Sequence, residues 1–390
     1  MSILLSEKVQ KFLSEHKQYH YDMTVELAQI PAPSNKEEKR ARWVKNYFDS
    51  LGGTQSYIDK ALNVVLPLNC DGCDEIVVFM AHMDVVFPDE TPLPLEVRDG
   101  KIFCPGICDD TANITALLLI AKYILENNLK PNTGLLLVAN TGEEGLGNLK
   151  GSRQIMEDYN GRIKEFISFD GTFGYICNDA VGSHRYSVEI KTEGGHSYGN
   201  FGNRNAIAFL ASMINTLYTI KVPPMGKTTY NVGTIEGGTS VNTIAQNAKM
   251  LYEYRSDNME SLAIMEKFFA SVCDSYRNMG VEVNVEVLGK RPCKGVVDEN
   301  KLAALTAKAA AISEMYTGIK CGFGASSTDC NTPLSMGVPA VCLGLCEGRG
   351  AHTRGEWLEI DSLPAGAKIA AAFIGDYFDS FYCYFFNLIK

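Results

Sequence analysis

The sequence predicts an α/β protein whose main domain is interrupted by a smaller α+β domain. In the main domain, short continuous apolar runs alternate with helical segments, which is typical of a sheet covered by helices on both faces. From residue 184 to 293 the pattern changes to strands of alternating polarity in the order β-α-β-β-α-β, that of a ferredoxin-like module. We therefore expect residues 1–183 and 294–390 to form one discontinuous domain and residues 184–293 to be inserted in it.

Two helices are expected at the N-terminus. Helical periodicity covers Ser6–Ile30 and Lys36–Leu51. Asn35 followed by Glu38 has the pattern of a capping box at the start of the second helix, and the glycines after Leu51 predict its end.

Three apolar runs predict buried central strands: Ile76–Met80, Leu135–Ala139 and Phe166–Phe169. A helix is expected over Thr111–Asn127, between the first two strands. Because helices alternate with the strands along the chain, we expect an α/β sheet with helices on both faces.

The elements expected in the insert are strands at Tyr186–Lys191, Thr228–Ile235, Lys249–Arg255 and Val281–Val287, and helices at Asn205–Tyr218 and Glu260–Met279. The α/β pattern then returns with a helix over Lys301–Tyr316 and a strand at Ala340–Leu343. The apolar stretch Ile369–Phe386 contains two aspartates and is expected to be a packed amphipathic helix.

The composition of the chain argues against some classes of binding partner. The formal net charge of −10 argues against a nucleic acid or an acidic membrane, since no basic patch is available to neutralise phosphates. No uncharged apolar run reaches the ~18 residues that a membrane span requires. Met1–Lys11 lacks the apolar core of a secretory signal. We therefore expect a cytoplasmic protein with no nucleic-acid or membrane partner.

The twelve cysteines are expected to be reduced thiols, because large domains without an export signal seldom need disulfides. Cys70 and Cys73 form a lone CxxC pair, whereas a structural zinc site needs a second pair at a set distance. A soft-metal site remains an alternative for four cysteines: Cys104, Cys108, Cys342 and Cys346.

Acids and histidines follow the apolar runs. His82 and Asp84 come directly after the first strand, where a spacing of two directs both side chains to one side. The imidazole can bind a metal while the carboxylate holds its other ring nitrogen. A polar loop pair is the alternative.

Asp109 and Asp110 lie between Pro105-Gly106 and the start of a helix. Acidic residues often cap the N-terminus of a helix, and such a cap would account for one of the two aspartates. Two cations about 3.5–4 Å apart need a shared carboxylate. One of these acids can supply it, and the residues alone leave open which.

Glu143 and Glu144 stand between Gly142 and Gly145 after the second strand. One can bind metal while its neighbour acts as a general base. Asp170, after the third strand, and the distant His352 are further candidate ligands, although either alone is also an ordinary turn residue. Strand ends along one edge of an α/β sheet are where such folds place their sites.

The remaining histidines carry weaker signals. His16 and His20 lie on the first expected helix and are predicted to be surface residues, and His184, at the domain junction, a structural one. His196 is preceded by two glycines, which permit a close approach of the backbone to a ligand. It lies in the insert, so it can reach the metals only through domain or subunit contact.

These motifs together resemble the M20 family of co-catalytic metallopeptidases, and most closely the peptidase T-like aminopeptidases and dipeptidases. The resemblance covers essentially the whole chain: HxD at His82, the Asp pair, the Gly-Glu-Glu turn, the Gly-Gly-His-Ser at His196 and the late His352. It implies a zinc-exopeptidase-like mixed sheet flanked by helices, with the insert as a lid and dimerisation domain.

The resemblance also implies roles for individual residues. One zinc would be held by His82, Asp109 and Asp170, and a second by Asp109, Glu144 and His352. Asp109 is preferred to Asp110 as the bridging acid because the family usually bridges through the first acid, often before a cis peptide bond. Glu143 would be the general base on a water between the cations, and Asp84 would orient His82. His196 would reach the partner subunit's site and steady the oxyanion, while Asn242 and Arg255 would help to grip the substrate.

The expected function is hydrolysis of an amide bond in short peptides by an aminopeptidase or dipeptidase with two divalent cations, zinc above others, acting as a homodimer. Family members with Asp at the position of Asp170 tend to be such peptidases. Thr111-Ala112 replace the Lys and Gly common in the family, which affects the local charge. The alternatives are an N-acyl amino acid deacylase of the same fold and a catalytically silent binding protein. The intact Glu143-Glu144 pair argues against the last.

Overall fold

The computed structural model describes residues 4–382, and the chain folds into two compact units. Of the described residues, 4–179 and 296–382 form the first unit and 180–295 form the second.

The helices are α1 Glu7–Glu15, α2 Lys17–Ala28, α3 Glu38–Ser50, α4 Ala112–Glu126, α5 Lys150–Asp158, α6 Ala206–Leu217, α7 Met259–Asn278, α8 Glu299–Thr317, α9 Asn331–Ser335 and α10 Leu363–Gly375. The strands are β1 Tyr57–Ile58, β2 Val64–Leu68, β3 Ile76–His82, β4 Glu96–Arg98, β5 Lys101–Phe103, β6 Gly134–Asn140, β7 Ile163–Phe169, β8 Tyr175–Ala180, β9 Gly182–Lys191, β10 Gly195–His196, β11 Thr228–Gly237, β12 Thr243–Ile244, β13 Asn247–Ser256, β14 Glu282–Arg291, β15 Gly322–Ser326, β16 Ala340–Leu343, β17 Gly348–Arg349 and β18 Trp357–Glu359.

An eight-stranded mixed sheet forms the centre of the first unit, in the order β1-β2-β6-β3-β7-β16-β8-β15. Strand β3 runs parallel to both β6 and β7, and β16 runs parallel to β7. β2 and β8 are antiparallel to their neighbours β6 and β16. The carboxyl ends of the four parallel strands therefore meet at one edge. The expected α/β fold is confirmed.

The central strands are apolar throughout because helices cover them. Every residue of β3 and of β6 is buried. Helix α4 packs against α2 and α10 and is buried on nearly all sides. Gly366 of α10 passes so close to the chain at Leu345 that a Cβ atom would lie 1.7 Å from the carbonyl oxygen of Leu345. Only glycine permits this approach.

The N-terminal region differs from the prediction. The first helix is broken at His16 into α1 and α2. The expected capping box does not form, because Asn35 has a left-handed φ of 70° and its backbone N–H donates to Glu37. His20 was predicted to lie on the surface, but it is buried, with Nε2 3.3 Å from the Thr115 hydroxyl. Its burial lowers the pKa of His20 to about 4.

The C-terminal helix is shorter than predicted. It begins at Leu363, ends at Gly375 and is buried over most of its length, so it is not amphipathic. The predicted end at Phe386 lies outside the described residues. None of the helices within residues 4–382 is long and apolar enough to cross a membrane. The eleven cysteines within these residues are free thiols.

The second unit contains a four-stranded antiparallel sheet in the order β11-β13-β9-β14. With α6 and α7, it follows the predicted β-α-β-β-α-β sequence of elements. Its core includes Tyr186, Leu210, Met250 and Phe269. A separate pair of short strands, β10 and β12, places His196 opposite Thr243.

Candidate metal centre

His82 is the last residue of β3 and is only 1% exposed. Its Nε2 atom lies 3.0 Å from Oδ1 of Asp109 and 3.9 Å from Oδ1 of Asp170, which follows β7. Its backbone N–H donates to Oδ2 of Asp110. Because β3 and β7 are parallel neighbours, His82 and Asp170 emerge at the same sheet edge.

Asp109 lies in an irregular turn, Ile107–Thr111, which leads into α4, and the Asp109–Asp110 peptide bond is cis. Its Oδ1 atom faces His82, while Oδ2 lies 3.1 Å from Nε2 of His352. One carboxylate thus lies between two imidazoles. Asp110 instead is fully buried and accepts the backbone N–H of His82. This geometry favours Asp109 over Asp110 as a shared ligand.

His352 reaches the site from a loop beyond β17. Its φ of 64° is left-handed, an unusual conformation for a residue other than glycine. Its Nε2 atom lies 3.1 Å from Oε1 of Glu144 as well as from Asp109. The side chain is 59% exposed, whereas that of Glu144 is 5% exposed, so this part of the cluster opens toward solvent.

Three overlapping groups of side chains have ligand atoms within 4.8 Å of one another. Two of them, His82–Asp109–Asp170 and Asp109–Glu144–His352, share Asp109. The third consists of His82, Glu143 and Glu144. Imidazole nitrogens and carboxylate oxygens suit a borderline divalent cation such as zinc. The residues therefore fit a pair of cations, and within residues 4–382 no cysteine belongs to such a group.

The electrostatics of the cluster also favour bound cations. Burial raises the pKa of Asp170 to about 7 and raises the pKa of Glu144 and of Asp110. Hydrogen bonds to Asp109 and Glu144 raise the pKa of His352 to about 11. Burial also acts on Asp109, but hydrogen bonds from the two imidazoles outweigh it and lower the pKa of Asp109. Cations bound here would offset the acidic charge that burial makes unfavourable.

Asp84 contacts His82 through both its backbone and its carboxylate, and the carboxylate has further partners. The nearest partner of His82 Nδ1 is the backbone carbonyl oxygen of Asp84, at 3.0 Å, while the carboxylate is 3.6 Å away. The two carboxylate oxygens accept the backbone N–H groups of Glu143 and Glu144, each at 3.0 Å. The Ser34 hydroxyl also donates to this carboxylate at 2.7 Å. Asp84 thus holds the Glu143–Glu144 turn.

Two further buried carboxylates support the cluster and carried no signal in the sequence. Glu37 accepts the backbone N–H of Gly142 at 3.1 Å and the Lys150 ammonium at 2.9 Å. Glu356 accepts three backbone N–H groups of the turn that carries Asp109. Apart from Lys150, their long-range partners are backbone groups, which have no residue-type pattern that a motif could reveal.

The remaining predicted residues lie in the second unit. His196 is exposed, and its Nδ1 accepts the N–H groups of Tyr198 and Gly199 at 3.2 Å each. Asn242 lies beside it, since its carbonyl oxygen accepts the N–H of Ser197. Arg255 lies on β13 and pairs with Glu253. His184 bonds the hydroxyl of Tyr254 at 2.9 Å inside the unit, as expected of a structural residue.

Comparisons with known proteins agree with this arrangement. The uncharacterized protein YqjE of Bacillus subtilis is 25% identical over 366 residues, covering 90% of this chain and 96% of that protein. Succinyl-diaminopimelate desuccinylase of Corynebacterium glutamicum is 24% identical over 371 residues, covering 91% and 95%. The structure of a tripeptidase from Staphylococcus aureus has a TM-score of 0.74 and 23% identity, covering 93% of this chain and 98% of the other.

The likeness to the tripeptidase shows a shared fold, and the family comparison goes further. Residues 78–376 match the model of peptidase family M20/M25/M40, a span that contains every residue of the cluster. The resemblance inferred from the motifs is thereby confirmed. The chain belongs to peptidase family M20/M25/M40 and is a metallohydrolase of that family.

Proposed function

We propose that this protein is a di-zinc exopeptidase that cleaves an amide bond of short peptides, as an aminopeptidase or a dipeptidase. The observation that carries the proposal is the position of Asp109 between His82 and His352, which makes one carboxylate part of two ligand groups. Two closely spaced cations require such a shared ligand, since it offsets their mutual repulsion.

His82, Asp109 and Asp170 would hold one cation, and Asp109, Glu144 and His352 the other. When bound, the zinc ions would polarise the scissile carbonyl group and lower the pKa of water. His82 is prepared for this role because its Nδ1 lies against a carbonyl oxygen, which places the ring proton there and leaves Nε2 to bind metal.

We assign Glu143 as the general base. Its side chain is only 6% exposed and belongs to the same cluster as His82 and Glu144. It would take a proton from the attacking water and return it to the leaving amine. Asp84 supports this step by holding the backbone of Glu143 and Glu144, so that the two adjacent carboxylates keep separate tasks.

His196 is assigned to stabilise the oxyanion, with Asn242 and Arg255 contributing to substrate binding. Because Nδ1 of His196 accepts two backbone N–H groups, the ring proton belongs on Nε2, which is then a hydrogen-bond donor. A donor of this kind stabilises negative charge that develops on the substrate carbonyl. We further propose that two chains associate through the second unit and that His196 of each chain enters the metal site of the other.

A second candidate function is the deacylation of an N-acyl amino acid. It is favoured by the likeness to a desuccinylase, over almost the whole of both chains. The same cations and the same base would hydrolyse either amide bond. The two functions differ in whether the substrate presents a free amino group or an acylated one.

A substrate panel tests the proposal. Zinc-loaded protein is incubated with dipeptides and tripeptides, with their N-acetylated forms, and with N-acetyl and N-succinyl amino acids. We expect cleavage of the peptides with a free amino group. Faster cleavage of the N-acyl amino acids would favour the deacylase, and no cleavage of any amide would contradict both. The Glu143→Gln variant, purified in the same way, controls for contaminating peptidases.

A further inference from the structure

One carboxylate, far along the chain from the Asp pair, secures the turn that carries Asp109. Glu356 is 1% exposed. Its Oε2 atom accepts the N–H of Gly106 at 2.6 Å, and its Oε1 atom accepts those of Cys108 at 2.8 Å and Asp109 at 3.0 Å. A single buried carboxylate thus accepts hydrogen bonds from three backbone N–H groups of one short segment.

The segment needs this carboxylate because its backbone is irregular. Gly106 has a left-handed φ of 79°, and Asp109 and Asp110 have non-helical dihedral angles. A regular helical ladder therefore cannot use these N–H groups, and buried donors without a partner are costly. A carboxylate satisfies them with charge-assisted hydrogen bonds, which are stronger than neutral ones.

Glu356 also belongs to the loop that carries His352. Its own N–H donates to the carbonyl oxygen of Thr353, the residue after His352, and its carbonyl oxygen accepts the N–H of Cys104. The two segments that approach each other at His352 and Asp109 are thus joined through the backbone and the side chain of one residue.

We propose that Glu356 is a positioning residue for the metal centre, which holds the Asp109 carboxylate where it can serve both cations. The inference rests on the proposed function in so far as that function requires two cations. Glu356 is not itself a member of any ligand group. Because Asp109 belongs to both ligand groups, loss of Glu356 should weaken the binding of both cations. Loss of Glu37, which holds Gly142, should weaken the binding of only the cation held by Glu144 and His352.

The test is zinc affinity, measured by competition with a chromogenic chelator, for wild-type protein and Glu356→Gln. In the variant, an amide NH₂ group replaces one acceptor oxygen and faces a backbone donor. We expect both zinc ions to bind about 10–100-fold more weakly, the usual effect of losing a partner of a metal ligand. Glu37→Gln should weaken one site only. Asp298→Asn, at the start of α8, is the matched control, since Asp298 also accepts two backbone N–H groups and should leave both affinities unchanged.

Wild-type affinity in Glu356→Gln, or the loss of a single site, would overturn the proposal. A wild-type protein that binds fewer than two zinc ions would instead contradict the proposed function. Amide hydrogen exchange of the metal-free wild-type protein tests whether Glu356 holds the Asp109 turn. This measurement requires neither bound zinc nor a folded variant. The amides of Gly106, Cys108 and Asp109 should exchange slowly, and in folded Glu356→Gln they should exchange faster. Rapid exchange of these amides in the wild-type protein would refute the role.

Discussion

The imidazole Nδ1 of His82 lies 3.0 Å from the backbone carbonyl oxygen of Asp84 and 3.6 Å from the Asp84 carboxylate. The backbone of Asp84 therefore orients the ring, while its carboxylate is committed to the N–H groups of Glu143 and Glu144. One residue supports a proposed ligand and the proposed base through different atoms.

This division of roles predicts the effect of Asp84→Asn. The ring of His82 keeps its carbonyl partner, so the cation at His82 should remain bound. The new NH₂ group would face one of the two backbone donors, and displacement of the Glu143–Glu144 turn should lower kcat about 10–100-fold. Metal analysis and steady-state kinetics of the same sample check this. Loss of the His82 cation would show that the carboxylate, not the carbonyl group, orients the ring.

The shared position of Asp109 predicts the pattern of zinc stoichiometry. Wild-type protein should bind about two equivalents of zinc per chain. Asp109→Ala should weaken both sites, whereas His82→Ala and His352→Ala should each spare one. Zinc titration followed by elemental analysis measures this. If Asp110→Ala disrupted both sites while Asp109→Ala affected one, the bridging ligand would be Asp110.

The assignment of Glu143 as base predicts a separation of metal binding from catalysis. Glu143→Gln should retain both zinc ions but lose about 10²–10⁴-fold in kcat, the usual contribution of a positioned proton transfer. Glu144→Gln, its neighbour, is the control and should lose one zinc ion. If Glu143→Gln lost a zinc ion and Glu144→Gln kept both, Glu144 would be the base and Glu143 the ligand. Both acids belong to one ligand group with His82, so the geometry allows either assignment.

The raised pKa of His352 predicts that zinc binding releases protons. Hydrogen bonds to Asp109 and Glu144 raise the pKa of His352 to about 11, so in metal-free protein the ring is protonated at neutral pH. Only the neutral ring can bind zinc, and binding must therefore displace this proton. Zinc affinity should rise with pH. Calorimetry of the wild-type protein in buffers of different ionisation enthalpy should show that zinc binding releases protons. Zinc binding without proton release at neutral pH would contradict the prediction.

The proposed dimer predicts that two inactive variants complement each other. A mixture of Glu143→Ala and His196→Ala should regain activity, because the chain that lacks His196 retains its metal site and base and receives His196 from its partner. With free exchange, about half of the chains would be in mixed dimers, each with one working site, so recovery should not exceed about a quarter of wild type. An absence of recovery despite demonstrated exchange would place His196 within its own chain's site or outside catalysis.

The elements that the sequence predicted best are those whose environment is uniform along their length. Ile76–Met80 and Leu135–Ala139 are buried on every side, so an unbroken apolar run was sufficient to identify them. The N-terminal region was harder to predict. The Asn35 pattern allowed a capping box, but the N–H of Asn35 donates to Glu37 instead. The same carboxylate accepts the N–H of Gly142, a long-range contact that the local pattern does not contain.

The sequence by itself determined the α/β fold, the identity of the acids and histidines and their order along the chain. It did so because strand ends are local features and parallel strands bring their carboxyl ends to one edge. Only the tertiary structure decided that Asp109 rather than Asp110 lies between His82 and His352. It also decided that His20 is buried and that Glu356 holds the Asp109 turn. The Glu356 contacts join segments up to 250 residues apart through backbone groups. Every residue carries such groups, so no pattern of residue types could have predicted these contacts.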